Sequence, residues 1–551
     1  MPAMLTRREA LAASTAAALT SAPLAQIDPA FVARHDDALA PLLPRQITDP
    51  ASPWRGGYPD DNGLYQPYSG ASILQLGIPA WLSPQSRFHR SAALAERLRL
   101  AAEYLERLQT PDGNFDNLNT NYNSPADTGF IMQEMASVAA LAQRAGERQI
   151  FGWMERVLRR AGAAMAAGGV HTPNHRWVVC AALAQIHELL PDPSYVRRID
   201  QWLAEGIDID PDGQYTERST SIYNPAVDWS LTTVAIKLGR PELLEPVRRN
   251  LDAMMYLLHA DGEVVTGISR RQDRHQRGTM HTYWFPLAYL ARADGNGRYQ
   301  ELASRLSPTS LATLLEYPIL NEAGPPPSPL PENFEKVFPH IGCARIRRGP
   351  VSATLLLNRD SRFFSLRRGD AVVNTVRFAS AFFGRGTFLP QRWERRGESF
   401  HLSQTVEGPY FQPLDPTHKV GPDEWASTLA SRRRSEVCRL EQSATITERA
   451  GGFQLRIQSR GYARVPVAIE INLREGGKLE GCEPSGKLAG AWMLASGHAT
   501  YRAGGSGIRF GPGLREHTYL EVRGAERKLP GMSVYLTGTT PLDHTLEFEW
   551  V

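Results

Sequence analysis

At Glu322-Ala-Gly-Pro-Pro-Pro-Ser-Pro-Leu-Pro331 the hydrophobic period of the chain changes, and no single layered core can serve both periods. Before this stretch apolar residues recur at steps of three and four. Leu94, Leu98, Ala101, Leu105 and Leu108 form one such stripe with Glu and Arg between them, the pattern of an amphipathic helix. Similar stripes run near 127–145, 148–166, 174–190, 195–206, 226–238, 241–258, 280–293 and 296–305. After it the period is two, as in Val351-Ser-Ala-Thr-Leu-Leu-Leu357, Val465-Pro-Val-Ala-Ile-Glu-Ile-Asn-Leu473 and Leu546-Glu-Phe-Glu-Trp550, with Gly-rich turns between. A multidomain chain, α then β, is expected: a helical domain over 26–321, a stiff connector over 322–332 and an antiparallel β-sandwich over 333–551. At 551 residues the chain is long enough for two cores.

The helical half repeats its turns. Asp112-Gly-Asn-Phe115, Asp212-Gly-Gln-Tyr215 and Asp261-Gly-Glu-Val264 each follow one helix and precede the start of another, and Gly168-Gly-Val-His171 takes the place of the missing member. The spacing, roughly fifty residues, is one helical hairpin. Such hairpins close into an α/α toroid or stack as an open solenoid, and either gathers equivalent helix ends on one face. That face would collect Asn121, Tyr122 and Asn123, then Asn174 and His175, then Tyr223, then His281 and Tyr283. Thr172-Pro173 and Asn224-Pro225 read as an N-cap followed by a first-turn proline. Unpaired N–H groups at helix starts favour an anion, so an acidic ligand suits this face.

Charge narrows the partners further. The net charge of +3 comes from 61 basic and 58 acidic residues without a long basic run, which gives nucleic-acid binding little support. Cys180, Cys343, Cys438 and Cys482 are scattered, with no Cys-x-x-Cys spacing; one disulfide among the last three is the alternative to four thiols. Thr6-Arg7-Arg8 and the small apolar run to Leu19 read as an export signal over residues 1–25, of twin-arginine type, cleaved near Ala22 or Ala25. No later stretch is apolar enough for a membrane helix, so a periplasmic or secreted protein is expected.

Asp212-Gly-Gln-Tyr-Thr-Glu-Arg-Ser-Thr-Ser-Ile-Tyr-Asn-Pro225, downstream of the Asn174-His175 pair, resembles the α/α-toroid polysaccharide lyases, particularly the alginate-lyase and heparinase II/III-like group. The order of toroid and sandwich is the same over nearly the whole mature chain. The resemblance implies that Asn174 and His175 contact a uronate carboxylate and that Tyr223 is a catalytic acid or base. Heparinase-like members carry a histidine-bearing segment early in the sandwich, whereas the corresponding Arg368-Gly-Asp-Ala-Val-Val-Asn374 has none. This departure marks an atypical member and leaves the sandwich without an expected catalytic or metal role.

The chemistry asks for the same residue types. A lyase removes the C5 proton, α to a carboxylate, and expels the C4 oxygen. It needs donors that stabilise the enolate, each worth roughly 3 kcal/mol, and an acid and a base contributing on the order of a hundredfold. Tyr223 can serve as either, with His281 and Tyr283 as second candidates. Arg218, Arg270 and Arg271 suit a carboxylate clamp, and Glu217 can orient His175 or an arginine. Tyr122, Asn123, Tyr215 and Trp284 complete the expected sugar contacts. No cofactor is expected, with a structural divalent metal kept open. Two other readings stay open: a toroid glycoside hydrolase using Asp127, Glu134 or Asp228, and a non-catalytic glycan-binding protein.

Overall fold

In the computed structural model, which describes residues 27–551, the chain divides into two compact units. Residues 27–255 and 269–330 form the first, and residues 256–268 and 331–551 the second. The export signal expected over residues 1–25 lies outside the described residues. Among the described residues no helix is long and apolar enough to cross a membrane.

The first unit is helical: α1 (Pro29–Leu39), α2 (Pro67–Leu82), α3 (Ala92–Leu108), α4 (Pro125–Arg144), α5 (Arg148–Ala167), α6 (Pro173–Leu189), α7 (Pro193–Ala204), α8 (Tyr223–Leu238), α9 (Leu244–Tyr256), α10 (Trp284–Asp294), α11 (Gly297–Ser304) and α12 (Leu311–Glu316). Helices α2, α4, α6, α8 and α10 pack successively against one another. Helices α3, α5 and α7 lie outside them and bury a single stripe, as α5 does with Ile150, Met154, Val157, Leu158 and Met165. The inner helix α6 is buried on nearly every side, from Trp177 through Ile186. Helix α12 packs on α4 and α2, bringing the chain back to the start of the ring, so the hairpins form a closed toroid. Proline opens the inner helices α2, α4 and α6, where its missing N–H costs nothing and its fixed φ suits the first turn.

The repeated turns share one hydrogen-bond pattern. Thr110 N–H donates to Asn114 O and Asp210 N–H to Gln214 O, with Gly113 at φ +98° and Gly213 at φ +78°. A side chain at either position would also collide with an outer-helix carbonyl, since a Cβ on Gly113 would lie 2.5 Å from Arg160 O and one on Gly213 2.5 Å from Arg249 O. Asp60 to Leu64, with Gly63 at φ +79°, is a further member that the sequence pattern does not flag. Gly168 is not a member: it caps α5 in an extended conformation. The turn at Asp261 has the right geometry but belongs to the second unit, not to the helical domain in which it was expected.

The second unit is a sandwich of an eight-stranded and a ten-stranded sheet. Among the described residues its strands pair antiparallel, except that Ala491–Met493 runs parallel to Met532–Thr539, where Arg515 and Thr537 also form an isolated parallel bridge. Phe364 of one sheet packs 5.9 Å from Phe453 and from Phe548 of the other, inside a continuous apolar core. Arg368 and Ala371 close a tight hairpin, and Asn374 donates to Asn472 Oδ1 at 3.0 Å. Segment 256–268 is tied into this unit by Arg345, which is fully buried and donates to the carbonyls of Tyr256, Leu258 and Ala353. Glu263 pairs with Arg367 and Arg474, each at 2.7 Å. All four cysteines are free thiols, which removes the disulfide alternative.

Candidate active site

The starts of the inner helices meet on one face of the toroid. Helix α8 begins two residues earlier than expected: Tyr223 is its first residue and Asn224 lies inside the first turn. Ser219 explains the shift, since its hydroxyl accepts from Tyr223 N–H at 3.1 Å and its carbonyl from Asn224 N–H at 2.9 Å. Asn224, freed from capping, donates to Gln214 Oε1 at 2.9 Å. At α6 Thr172 holds the cap position, as expected, but makes no side-chain cap bond; its carbonyl accepts from His175 N–H.

A connected chain of polar groups runs through this face. The Asn174 amide donates to Glu217, and the other Glu217 oxygen lies 3.1 Å from Arg271 Nη1. The Arg271 guanidinium covers the Tyr223 ring, 4.8 Å from its centre, and Gln272 Nε2 donates to the Tyr223 hydroxyl at 2.9 Å. Burial, opposed by Asn174 and Arg271, raises the Glu217 pKa. His175 is buried beside Phe130 and 4.9 Å from the His171 ring. Its pKa falls to about 4, first through burial and then through repulsion by His171, so the imidazole is neutral at physiological pH. Asn174 Oδ1 and His175 Nδ1 are buried without a hydrogen-bond partner. Buried polar atoms seldom stay unpaired, and these two mark where a ligand would bond.

The arginines surround this chain. Arg270 donates through its backbone to Glu217 O and through Nη1 to Thr216 O. Arg218 sits at φ +52°, 3.8 Å from Asp210, and its pKa is lowered by burial and then by Arg270. His281 is exposed and lines, with Gln272 and Ser221, a cavity of about 350 Å³.

Three expected sugar contacts and one expected proton-transfer residue are corrected. Tyr215 is buried and donates to Asp228 at 2.7 Å, and Tyr283 is fully buried and donates to Thr220 O at 2.8 Å. Burial raises both phenols, so neither is a proton-transfer group at the surface. Trp284 opens α10 with its side chain in the core. Asn123, at φ +46°, spends its side chain on Thr110, Asn114 and Asp112, holding a hairpin rather than a sugar. Tyr122 remains 67% exposed on that hairpin.

The hydrolase candidates separate. Asp127 is saturated by Asn117, Asn121 and Ser124, and Asp228 is enclosed with Tyr215. Only Glu134 reaches open space. Tyr68, in the first turn of α2, was not singled out; it bonds Asp127, and its phenol is raised by burial and by the charges of Asp127, Glu134 and Tyr223. Its signal was the same proline-led helix start that marks Asn174. His171 and Gln272 were also missed as site residues. Among the described residues no group of three or more His, Cys, Asp or Glu side chains is placed to hold a metal ion.

No protein-family model and no curated protein matches this sequence. Solved structures do. The chondroitin AC lyase of Streptomyces coelicolor A3 aligns with a TM-score of 0.56 at 15% identity, over 96% of this chain and 80% of its own. Heparinase III aligns at 0.55 and 10% identity, over 97% of this chain and 87% of its own. A Paenibacillus xanthan lyase aligns at 0.55 and 11% identity, over 99% of this chain and 59% of its own. The chain is therefore similar in fold, along nearly its whole length, to the α/α-toroid polysaccharide lyases.

Proposed function

We propose that this protein is a polysaccharide lyase that cleaves a uronate-containing polymer by β-elimination. The observation that carries the reading is the Asn174, Glu217, Arg271, Tyr223 chain beside a neutral, unpartnered imidazole. The names of the structural neighbours, a chondroitin AC lyase, a heparinase and a xanthan lyase, support the same class.

In this reading Arg270 and Arg271 face the substrate carboxylate and offset its charge, because a neutral His175 brings none of its own. A protonated ring nitrogen of His175 donates to an enolate oxygen, and the unpaired Asn174 Oδ1 accepts from a substrate hydroxyl. The C5 proton passes to the Tyr223 oxygen or to an imidazole nitrogen of His175 as the C4–O bond breaks and a C4=C5 double bond forms. The expelled oxygen takes its proton from Tyr223, a half-buried residue whose one hydroxyl serves both ends of that exchange in this reading. Arg271 and Gln272 hold the ring and hydroxyl in place. Arg218 and the exposed Tyr122 and His281 line the approach of the chain. We place the mature enzyme in the periplasm or outside the cell, on the strength of the Arg7-Arg8 segment.

The test is purified protein with a panel of uronate polymers, followed by the ultraviolet absorbance of the unsaturated uronate. A rise supports the lyase. New reducing ends without that absorbance would replace it by a hydrolase, whose acid would be Glu134, pushed up to about 7 by burial. Binding without either would leave a glycan-binding protein.

A further inference from the structure

Below the active face the toroid encloses a second cavity, of about 300 Å³, at the lower end of the roughly 300–1,000 Å³ found for small-molecule sites. Ile222 and Thr282 line both this cavity and the one beside His281 and Gln272, so the two spaces share a lip next to Tyr223. Three features distinguish it from a packing fault. Its wall carries a carboxyl, Glu134, whose accessible surface opens into the cavity and which takes a hydrogen bond from Gln75. Gln185 Oε1 and Thr309 Oγ1, also in the wall, are buried without a partner. Trp229, half-buried, offers an aromatic surface beside them.

The charge of the wall selects the occupant. Among the described residues no lysine or arginine lines the cavity. Glu316 in its floor is neutralised by Lys237 at 2.8 Å and accepts from Ser137, which leaves Glu134 as the one carboxyl without a cationic partner there. Hydroxyl groups can donate to Glu134 and to Gln185 Oε1 and can pair with Thr309, and the apolar face of a pyranose can lie on Trp229. A second carboxylate would meet repulsion and no counter-ion. The arginines sit instead around Tyr223.

We propose that this bore cavity is a binding site for one uncharged sugar unit, the neighbour of the uronate held at Tyr223, anchored by Glu134 and Gln185. The chain end then descends into the toroid while the charged residue stays at the rim, and specificity for the uncharged sugar is set inside the bore. The proposal rests on the saccharide reading of the site, but it is read as binding without turnover. A protein that binds in the bore and shows no lyase activity therefore overturns only the reaction, and a lyase that binds no simple sugar overturns only this site.

The experiment is saturation-transfer NMR with the methyl glycosides of glucose, galactose, mannose and N-acetylglucosamine, and with methyl glucuronide as the charged comparator. At least one uncharged glycoside is expected to show saturable binding, weakened tenfold or more by Glu134→Leu and by Gln185→Leu. Glu134→Leu is expected to melt no lower than the parent, because an enclosed carboxylate is kept at a cost to the fold. Absence of binding by every uncharged glycoside, binding unchanged in both variants, or equal binding of methyl glucuronide would overturn the site. If Glu134→Leu fails to fold, Glu134 is structural, and Glu134→Gln with Gln185→Leu decides whether sugar binding goes through this wall.

Discussion

Tyr223 separates packing from chemistry with one atom. Its ring is held by Arg271 and its hydroxyl by Gln272, so Tyr223→Phe keeps the cation–π contact and deletes only the oxygen. Turnover of the uronate polymer is expected to drop about a hundredfold or more, with substrate affinity and melting temperature nearly unchanged. Retained turnover would move the proton transfer to His175 and His281. Two buried groups predict opposite pH slopes. His175 is depressed to about 4, so its contribution is complete above its ordinary 6.5 and is lost as pH falls through 4. Glu134 is raised to about 7 from its ordinary 4.5, so the fold is least burdened below 4.5 and loses stability as pH rises through 7. Glu134→Gln should therefore gain about 2–3 kcal/mol at pH 8 and almost nothing at pH 4, read by urea unfolding at both. Asn174, His175, Glu217, Arg271 and Tyr223 were legible because helix starts and charge patterns are local. Gln272 was not, since it carries no pattern of its own, and Tyr68, although it follows a helix-start proline as Asn174 does, is tied to the other site residues only through the fold. Tyr215, Tyr283 and Trp284 misled for the converse reason: an aromatic next to a motif looks the same in sequence whether it faces a cleft or the core.

The turn and the helix start are the elements that the sequence recorded best. Period and punctuation gave the hairpins, and the Asp-Gly signal found turns whose glycines stand at positive φ against an outer-helix carbonyl. Gly213→Ala should cost about 2–4 kcal/mol, from the left-handed backbone and from a Cβ 2.5 Å from Arg249 O. Gly168→Ala, in an extended conformation, lacks the first penalty and keeps the crowding, against Pro125 and the Ala164 carbonyl. Thermal melts of the two variants check the contrast, and equal losses would contradict it. The cap of α8 was misread because Ser219 reaches forward four residues to do the work expected of Asn224.

For the whole molecule the informative boundary is not the proline connector alone. The alternating period located the sandwich correctly, but nothing in a window of sequence tells that 256–268, read as the end of a helix and a turn, belongs with strands that follow it by nearly a hundred residues or more. A fragment of residues 331–551 would leave Arg345, buried and bonded to Tyr256 O and Leu258 O, without those acceptors, and Arg367 and Arg474 without Glu263. It is expected to lack a cooperative melt, whereas the full chain has one; a cooperative transition in the fragment would refute this.

The same excursion orders events in time. Residues 269–272, which bring Arg271 and Gln272 to Tyr223, leave directly from a segment whose partners include Arg345, Arg367 and Arg474. A ribosome that has made residues 27–330 has therefore made the loop that carries Arg271 and Gln272 and the groups that hold it, Glu217, Ser221 and Tyr223, but not the partners of the segment the loop leaves from. Segment 256–268 gains its last partner only when residue 474 has emerged, so this stretch is expected to settle late in synthesis, after the helices that precede it.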